Sequence, residues 1–149
     1  MSCPVPPDMA YLDMSPGQAL AQINALSYLK FDKFVVGAAK LKSETEILLL
    51  KRRPDEKHYP NVYEMPGGKV ETSDPTIRSA IAREVHEETG LQLTDVLRPL
   101  QSITYTTKSE SGSCCLIQLS YVAKVQGAAF EVNPDEHSTG GLGRPHYAV

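Results

Sequence analysis

The chain lacks most of the features that would assign it by composition alone. It holds three cysteines in 149 residues, two of them adjacent at Cys114 and Cys115. That number and spacing suit neither a disulfide framework nor a zinc site, so free thiols in a reducing compartment are expected. The longest apolar run, Ile47 to Leu50, is far too short to span a bilayer, and the opening Met1-Ser-Cys-Pro-Val-Pro-Pro lacks the basic and apolar regions of a signal peptide. No basic block of the kind that grips a phosphate backbone occurs, and the net charge is −3 with a pI near 5.8. A cytoplasmic protein with no nucleic-acid or membrane partner is the expectation. There is no internal repeat, and the length suits one domain with a single core.

What is present reads as alternating elements of an α/β domain over residues 15–137. Residues 1–14 carry three prolines and no sustained periodicity, which predicts a flexible arm. Ser15-Pro16-Gly17-Gln18 offers a serine cap, a proline at the first helical position and a glutamine three residues after the cap. A helix from Pro16 to Leu29 is predicted, with Leu20, Ile23, Ala25 and Leu26 available for burial. Phe34 to Ala39 and Glu46 to Lys51 are short apolar runs parted by a polar turn, and they read as paired strands. A charged loop, Arg52 to Asn61, follows. Leu100 to Thr106 and Cys115 to Val125 flank a Lys108–Ser113 turn and read as a hairpin. Ser138 to Pro145 holds three glycines and a proline, which rules out a regular helix, so 138–149 is expected to be a disordered tail.

Chemistry concentrates between Gly67 and Leu91, GGKVETSDPTIRSAIAREVHEETGL. Asp74 is a suitable N-cap, Pro75 suits the first helical position and Gly90 the position just past the end, which predicts a helix over 75–89. At about 100° per residue, Glu84 and Glu88 fall within about 20° of Ile77, on the side of Ile81 and Val85. Glu87 lies near Ala80, while Arg78, Ser79, His86 and Thr89 form the polar outer face. A glutamate run on a helix is most often a solvated stripe. Here the carboxylates flank the apolar face, and like charges three and four apart cost roughly 0.2 to 0.5 kcal/mol per pair even when exposed. Arg83 reaches Glu87 at i, i+4, but one guanidinium cannot neutralise three carboxylates. A divalent cation that prefers oxygen ligands, magnesium or manganese, suits such a cluster.

These residues resemble the Nudix box, G-x5-E-x7-R-E-U-x-E-E-x-G-U with U aliphatic. Arg83-Glu84-Val85-His86-Glu87-Glu88-Thr89-Gly90-Leu91 matches its second half throughout, and Tyr63 to Glu71 is similar to the strand and loop that lead into it. Two departures stand out: Asp74 takes the place of the first glutamate, and one extra residue separates it from Arg83. We assign that residue to the loop before Pro75, because inserting it in the helix would rotate everything after it by about 100°. The resemblance implies an α/β/α sandwich with a mixed sheet over residues 34–137, here without the C-terminal strand and helix that the family usually has.

The resemblance further implies hydrolysis of a nucleoside diphosphate linked to another moiety. Glu84, Glu87, Glu88 and the Gly67 carbonyl would hold the metal, with Arg83 orienting Glu84 and Glu87. Glu87, Glu88 and Glu136 are the candidates for general base. Gly68 would let the backbone approach the phosphates. Arg52 and Arg53 either meet phosphate or lie in a solvated turn. Tyr59, Tyr63 and Tyr105 either stack a base or serve as core and rim residues. His86 and His137 read as solvated. The alternative reading is a catalytically weak or inactive, truncated Nudix-fold protein that binds a nucleotide or a partner. The substrate and the oligomeric state have no sequence rule that fixes them.

Overall fold

The computed structural model describes residues 8–27, 31–43, 46–55, 61, 63–109, 112–126 and 137–143. Two helices, α1 (Pro16–Leu26) and α2 (Ile77–Thr89), accompany strands β1 (Lys33–Ser43), β2 (Glu46–Arg52), β3 (Tyr63–Glu64), β4 (Gly67–Lys69), β5 (Gln92–Pro99), β6 (Ile103–Ser109), β7 (Gly112–Gln126) and β8 (His137–Gly143). The strands form one mixed sheet around the path β3-β2-β1-β7-β5. Lys33–Lys40 of β1 runs parallel to Leu116–Ala123 of β7, and every other pairing is antiparallel.

Alternation along β7 sorts the two sides of the sheet. Ile117, Leu119 and Tyr121 point to one side and are buried with Val36 of β1 and with Ile77, Ile81 and Val85 of α2. Burial of each of those α2 side chains contributes about 2 kcal/mol. Gln118 and Ser120 point to the other side, level with Val35 and Gly37. The helix thus fastens to one face and leaves the other for the cavity described below.

Several elements differ from the sequence reading. Helix α1 starts as expected, with Ser15 Oγ accepting from the Gln18 N–H at 3.2 Å. It stops at Leu26, earlier than predicted, and Leu26 is exposed while Ile23 is buried. Residues 8–14 are not a loose arm. Ala10–Asp13 forms a 3₁₀ turn that sends Tyr11 and Leu12 into the core, and the Tyr121 hydroxyl donates to the Asp8 carbonyl at 2.8 Å. Strand β5 was missed because Val96 is its one fully buried residue, so its alternation is faint.

The tail expected over 138–149 is corrected over its first residues. His137–Gly143 is a strand paired antiparallel with Ile47–Arg52 of β2. Glycines weaken a helix, yet a ladder is held by backbone groups that glycine retains. A strand therefore stands where none was expected; no helix follows α2 among the described residues.

Candidate functional site

Helix α2 begins two residues later than predicted. Thr76 is its N-cap, with Oγ1 accepting from the Ser79 N–H at 3.1 Å. Its end is as the sequence implied: Gly90 has φ 73° and donates its N–H to the His86 carbonyl at 2.9 Å. Thr89, placed on the outer face by the helical wheel, is buried instead, with its hydroxyl bonded to the Val85 carbonyl at 2.6 Å.

Released from capping, Asp74 does something else. It closes a turn with Glu71, accepting the Glu71 N–H on Oδ2 at 2.8 Å while its own N–H reaches the Glu71 carbonyl at 3.0 Å. Both its oxygens then receive Arg83, Nε on Oδ1 at 2.9 Å and Nη2 on Oδ2 at 3.0 Å. The other N–H groups of Arg83 go to the Lys69 carbonyl at 3.2 Å, Glu84 Oε1 at 2.9 Å and Glu87 Oε2 at 3.2 Å. All five donors of the guanidinium are occupied, which fixes its plane. The shorter acid and the extra loop residue thus combine to bring a carboxylate to Arg83 from the loop. Arg83 and, secondarily, the Glu71 N–H hold the Asp74 carboxyl below its ordinary value of 3.8, against the opposing effect of burial.

Replacing Asp74 by asparagine is expected to lower stability by about 2 kcal/mol at neutral pH, since a buried partner of a charged group is lost. Because the folded-state pKa is depressed, this contribution is complete above the unfolded value near 3.8 and vanishes as pH falls through the lower folded value. Urea unfolding at pH 7 and at pH 3 checks it. The gap between wild type and variant should shrink in acid, and a pH-independent gap would refute the assignment.

Glu84 and Glu88 lie on the inner side of α2, 8% and 3% exposed. Glu88 Oε2 accepts the Gly67 N–H at 2.7 Å. Glu84 packs against Gly68 so closely that a Cβ there would lie 2.6 Å from its Cδ and from both oxygens. Glu87, at the same end of the helix, is exposed apart from its bond to Arg83. These groups close one end of a cavity of about 520 Å³ whose wall carries five carboxylates, Glu64, Glu71, Glu84, Glu87 and Glu88, against three cations, Arg52, Lys69 and Arg83.

The wall also includes Gly67, Gly68, Tyr105 and Gln118. Arg52 reaches it from the end of β2, paired with Glu64 at 3.2 Å. Arg53 turns away to Asp55, bound through two hydrogen bonds at 2.8 and 3.0 Å. Tyr63 is 56% exposed and does not line the cavity. Glu136 and Tyr59 lie outside the described residues. Glu64, Glu71, Val35, Gly37 and Gln118 were not singled out from sequence. Of these, only Glu71 sits close enough in sequence to the acidic helix to have been found by proximity.

The cavity therefore joins carboxylate oxygens on one helix, with Glu84 and Glu88 buried and Glu87 exposed, to a glycine loop with no side chains in the way. The family model for the NUDIX domain matches residues 33–140, a span containing every part of it. The chain belongs to the Nudix family. Its fold is similar to that of a MutT Nudix hydrolase from Burkholderia pseudomallei, with a TM-score of 0.60 and 27% identity over 74% of this chain and 81% of that one. The E. coli ORF135 protein is similar at 0.59, with 26% identity over 78% and 76%. The Nudix domain of Shewanella oneidensis NrtR, solved in complex with ADP ribose, shares the fold at 0.59, with 17% identity over 90% and 86%. No curated protein matches the sequence. The mixed sheet with its two helices is thus the Nudix α/β/α architecture, and the family match together with the MutT Nudix hydrolase neighbour supports a hydrolase. Among the described residues no helix is long and apolar enough to cross a membrane.

The Nudix donor set can be tested against a divalent ion on this geometry. Among the described residues, no three acidic, histidine or cysteine side chains converge as a preformed cage. The chemistry of the set still fits magnesium or manganese. Its groups are carboxylates, they outnumber the cations, and Gly68 leaves room that a Cβ would take from Glu84.

Proposed function

We propose that this Nudix protein hydrolyses the diphosphate linkage of a nucleoside diphosphate joined to another moiety, using magnesium or manganese. The observation that carries the reading is the Arg83 hub, which ties Asp74, Glu84 and Glu87 together at the acidic end of the cavity beside Gly67 and Gly68. Glu84, Glu87, Glu88 and the Gly67 carbonyl are the groups that would hold the ion. Once bound, the ion would neutralise charge on the diphosphate and make water a better nucleophile.

The chain's own residues have separable parts. Arg83 holds Glu84 and Glu87 in place, so neither has to reorganise during reaction. The Gly67 N–H holds Glu88. Glu87 Oε2 is on Arg83, and Glu87 is the exposed member of the three, so it is the carboxylate we assign to take the proton of the attacking water. Glu88 and Glu136 are the alternatives. Arg52, beside Glu64 on the cavity wall, is the cation placed to meet phosphate, with Gly68 allowing its close approach.

A second reading, nucleotide binding with little or no turnover, rests on one observation: in the described residues the carboxylates do not converge as a cage. A single experiment separates the two. The chain is incubated with ADP-ribose, dinucleoside polyphosphates and nucleoside triphosphates, with magnesium, with manganese and with EDTA, while products are resolved by chromatography. Hydrolysis of at least one compound with metal and none with EDTA is expected. Nucleotide-dependent thermal stabilisation without product under either metal would establish the binder instead. ADP-ribose belongs in the panel because the NrtR domain with the same fold binds it.

A further inference from the structure

One part of the fold lies outside the span that matches the family. That span begins at residue 33, whereas residues 8–14 precede it and are tied to the acidic helix. The segment is ordered by its own bonds. The Ala10 N–H reaches Asp8 Oδ1 at 2.8 Å, the Leu12 N–H the Met9 carbonyl at 3.1 Å, and the Met14 N–H the Tyr11 carbonyl at 3.1 Å. Tyr11 and Leu12 enter the core cluster that also holds Ile77, Ile81 and Val85 of α2.

The two ends of the segment are fastened to different elements. At Asp8 the carbonyl accepts the Tyr121 hydroxyl of β7. At Met14 the carbonyl accepts the Ile77 N–H at 3.0 Å. That N–H opens α2 and has no acceptor within the helix, so the segment supplies the one it needs. Arg78 and Asp13 add an exposed ion pair at 3.2 Å, which contributes little stability. Residues 8–14 thus strap the first turn of α2 to β7.

The stripe of the helix that meets this strap is the stripe that carries the acids. Ile77, Ile81, Glu84 and Glu88 are all buried on the inner side of α2, so a rotation of the helix moves them together. At about 6 Å from the axis, a rotation of roughly 20° carries a carboxylate about 2 Å. A misplacement of about 1 Å is enough to cost on the order of 10²-fold in rate. Arg83 and Glu88 tie the helix to the glycine loop, but none of their bonds reaches its first turn.

We propose that residues 8–14 position α2 for divalent-ion binding, with Leu12 as the buried anchor and Tyr121 as the tie to the sheet. The inference rests on the reading of Glu84, Glu87 and Glu88 as the groups that hold the ion. Among the described residues these carboxylates form no preformed cage, so the affinity depends on where the helix stands. Linkage makes the effect reciprocal: the factor that the docked strap adds to ion affinity is the factor that the ion adds to docking of the strap.

Mn²⁺ is titrated calorimetrically into the full chain as wild type, Leu12→Ala, Tyr121→Phe and Ile23→Ala, with thermal unfolding of each. Tyr121→Phe keeps the ring and removes only the bond to Asp8. Ile23→Ala opens a cavity in the same core cluster from α1 and controls for lost stability. Mn²⁺ affinity should fall about tenfold in Leu12→Ala and about threefold in Tyr121→Phe, and stay within about twofold of wild type in Ile23→Ala. In wild type, Mn²⁺ should slow hydrogen exchange at the Ala10, Leu12, Met14 and Ile77 amides. Should Leu12→Ala not fold, Tyr121→Phe decides. Wild-type affinity in the folded strap variants, an equal loss in Ile23→Ala, or exchange over residues 10–14 that ignores Mn²⁺ would each overturn the proposal. A wild type that binds no Mn²⁺ defeats the reading of the acidic end and this one with it, while equal binding by all four forms defeats this one alone.

Discussion

Glu84→Gln and Glu88→Gln are each expected to lower metal-dependent turnover on the order of 10³-fold while leaving the fold intact. Glutamine keeps the shape of both side chains and an oxygen that can still accept, from Arg83 Nη1 at position 84 and from the Gly67 N–H at position 88. What it removes is the negative charge that would hold a divalent ion. Neutralising the buried Glu88, which is bonded to the Gly67 N–H, relieves repulsion in the metal-free protein, so the thermal midpoint of Glu88→Gln should stay level or rise. Glu84→Gln also weakens the ion pair with Arg83 and should cost about 1 kcal/mol. Steady-state kinetics with magnesium, alongside circular dichroism, checks both parts. Wild-type turnover in both variants would remove Glu84 and Glu88 from the site.

The two adjacent glycines of β4 should respond differently to alanine, although they are neighbours in one strand. At Gly68 the new Cβ would meet the Glu84 carboxylate, the far end of a side chain that can be pushed aside. Gly68→Ala should therefore fold, lose about 1 kcal/mol, and lose roughly 10²-fold in activity as the ligand is displaced. At Gly67 the Cβ would meet the Val36 carbonyl and, at 2.9 Å, the Gly37 Cα. Those are backbone atoms of the strand paired with it. Nothing there can yield without separating β4 from β1, so Gly67→Ala should cost about 3 kcal/mol or more. Denaturant unfolding and kinetics on both variants read this out. A Gly68→Ala protein with unaltered kcat/KM would show that the packing of Glu84 against the loop does not matter to the reaction.

The legible parts of this molecule are those encoded over short distances. Helix α2 showed itself through the spacing of Ile77, Ile81, Glu84, Val85 and Glu88 and through Gly90, and the side on which its carboxylates lie followed from that phase. Its first turn was misjudged because Asp74 and Thr76 are both capable caps. The decision between them was made by Arg83, which binds Asp74 from the middle of the helix. Residues 8–14 gave no periodic signal because a single 3₁₀ turn is too short to show one, yet it buries Leu12 completely. Strand β8 was hidden by its glycines, since the partner that orders it is β2, far earlier in the chain. The site divides in the same way. The acidic end lies within one helix and its preceding loop and could be read, whereas Val35, Gly37 and Gln118 become neighbours only when β1 and β7 align.

That parallel pairing also sets the conditions under which a site exists at all. Lys33 and Leu116 are partners in register, and closing the roughly 80 residues of chain between them costs roughly 4 kcal/mol in entropy before any contact repays it. The glycine loop is fastened to β1 through Val35–Gly37, so it is anchored to the strand whose position depends on that closure. An isolated acidic helix would keep its glutamates but have no opposing wall, and the sheet side without the helix would keep Arg52, Glu64 and Lys69 but lose Glu84, Glu87 and Glu88. The cavity thus exists only where β1 and β7 are paired, and a chain without that pairing has neither wall in place.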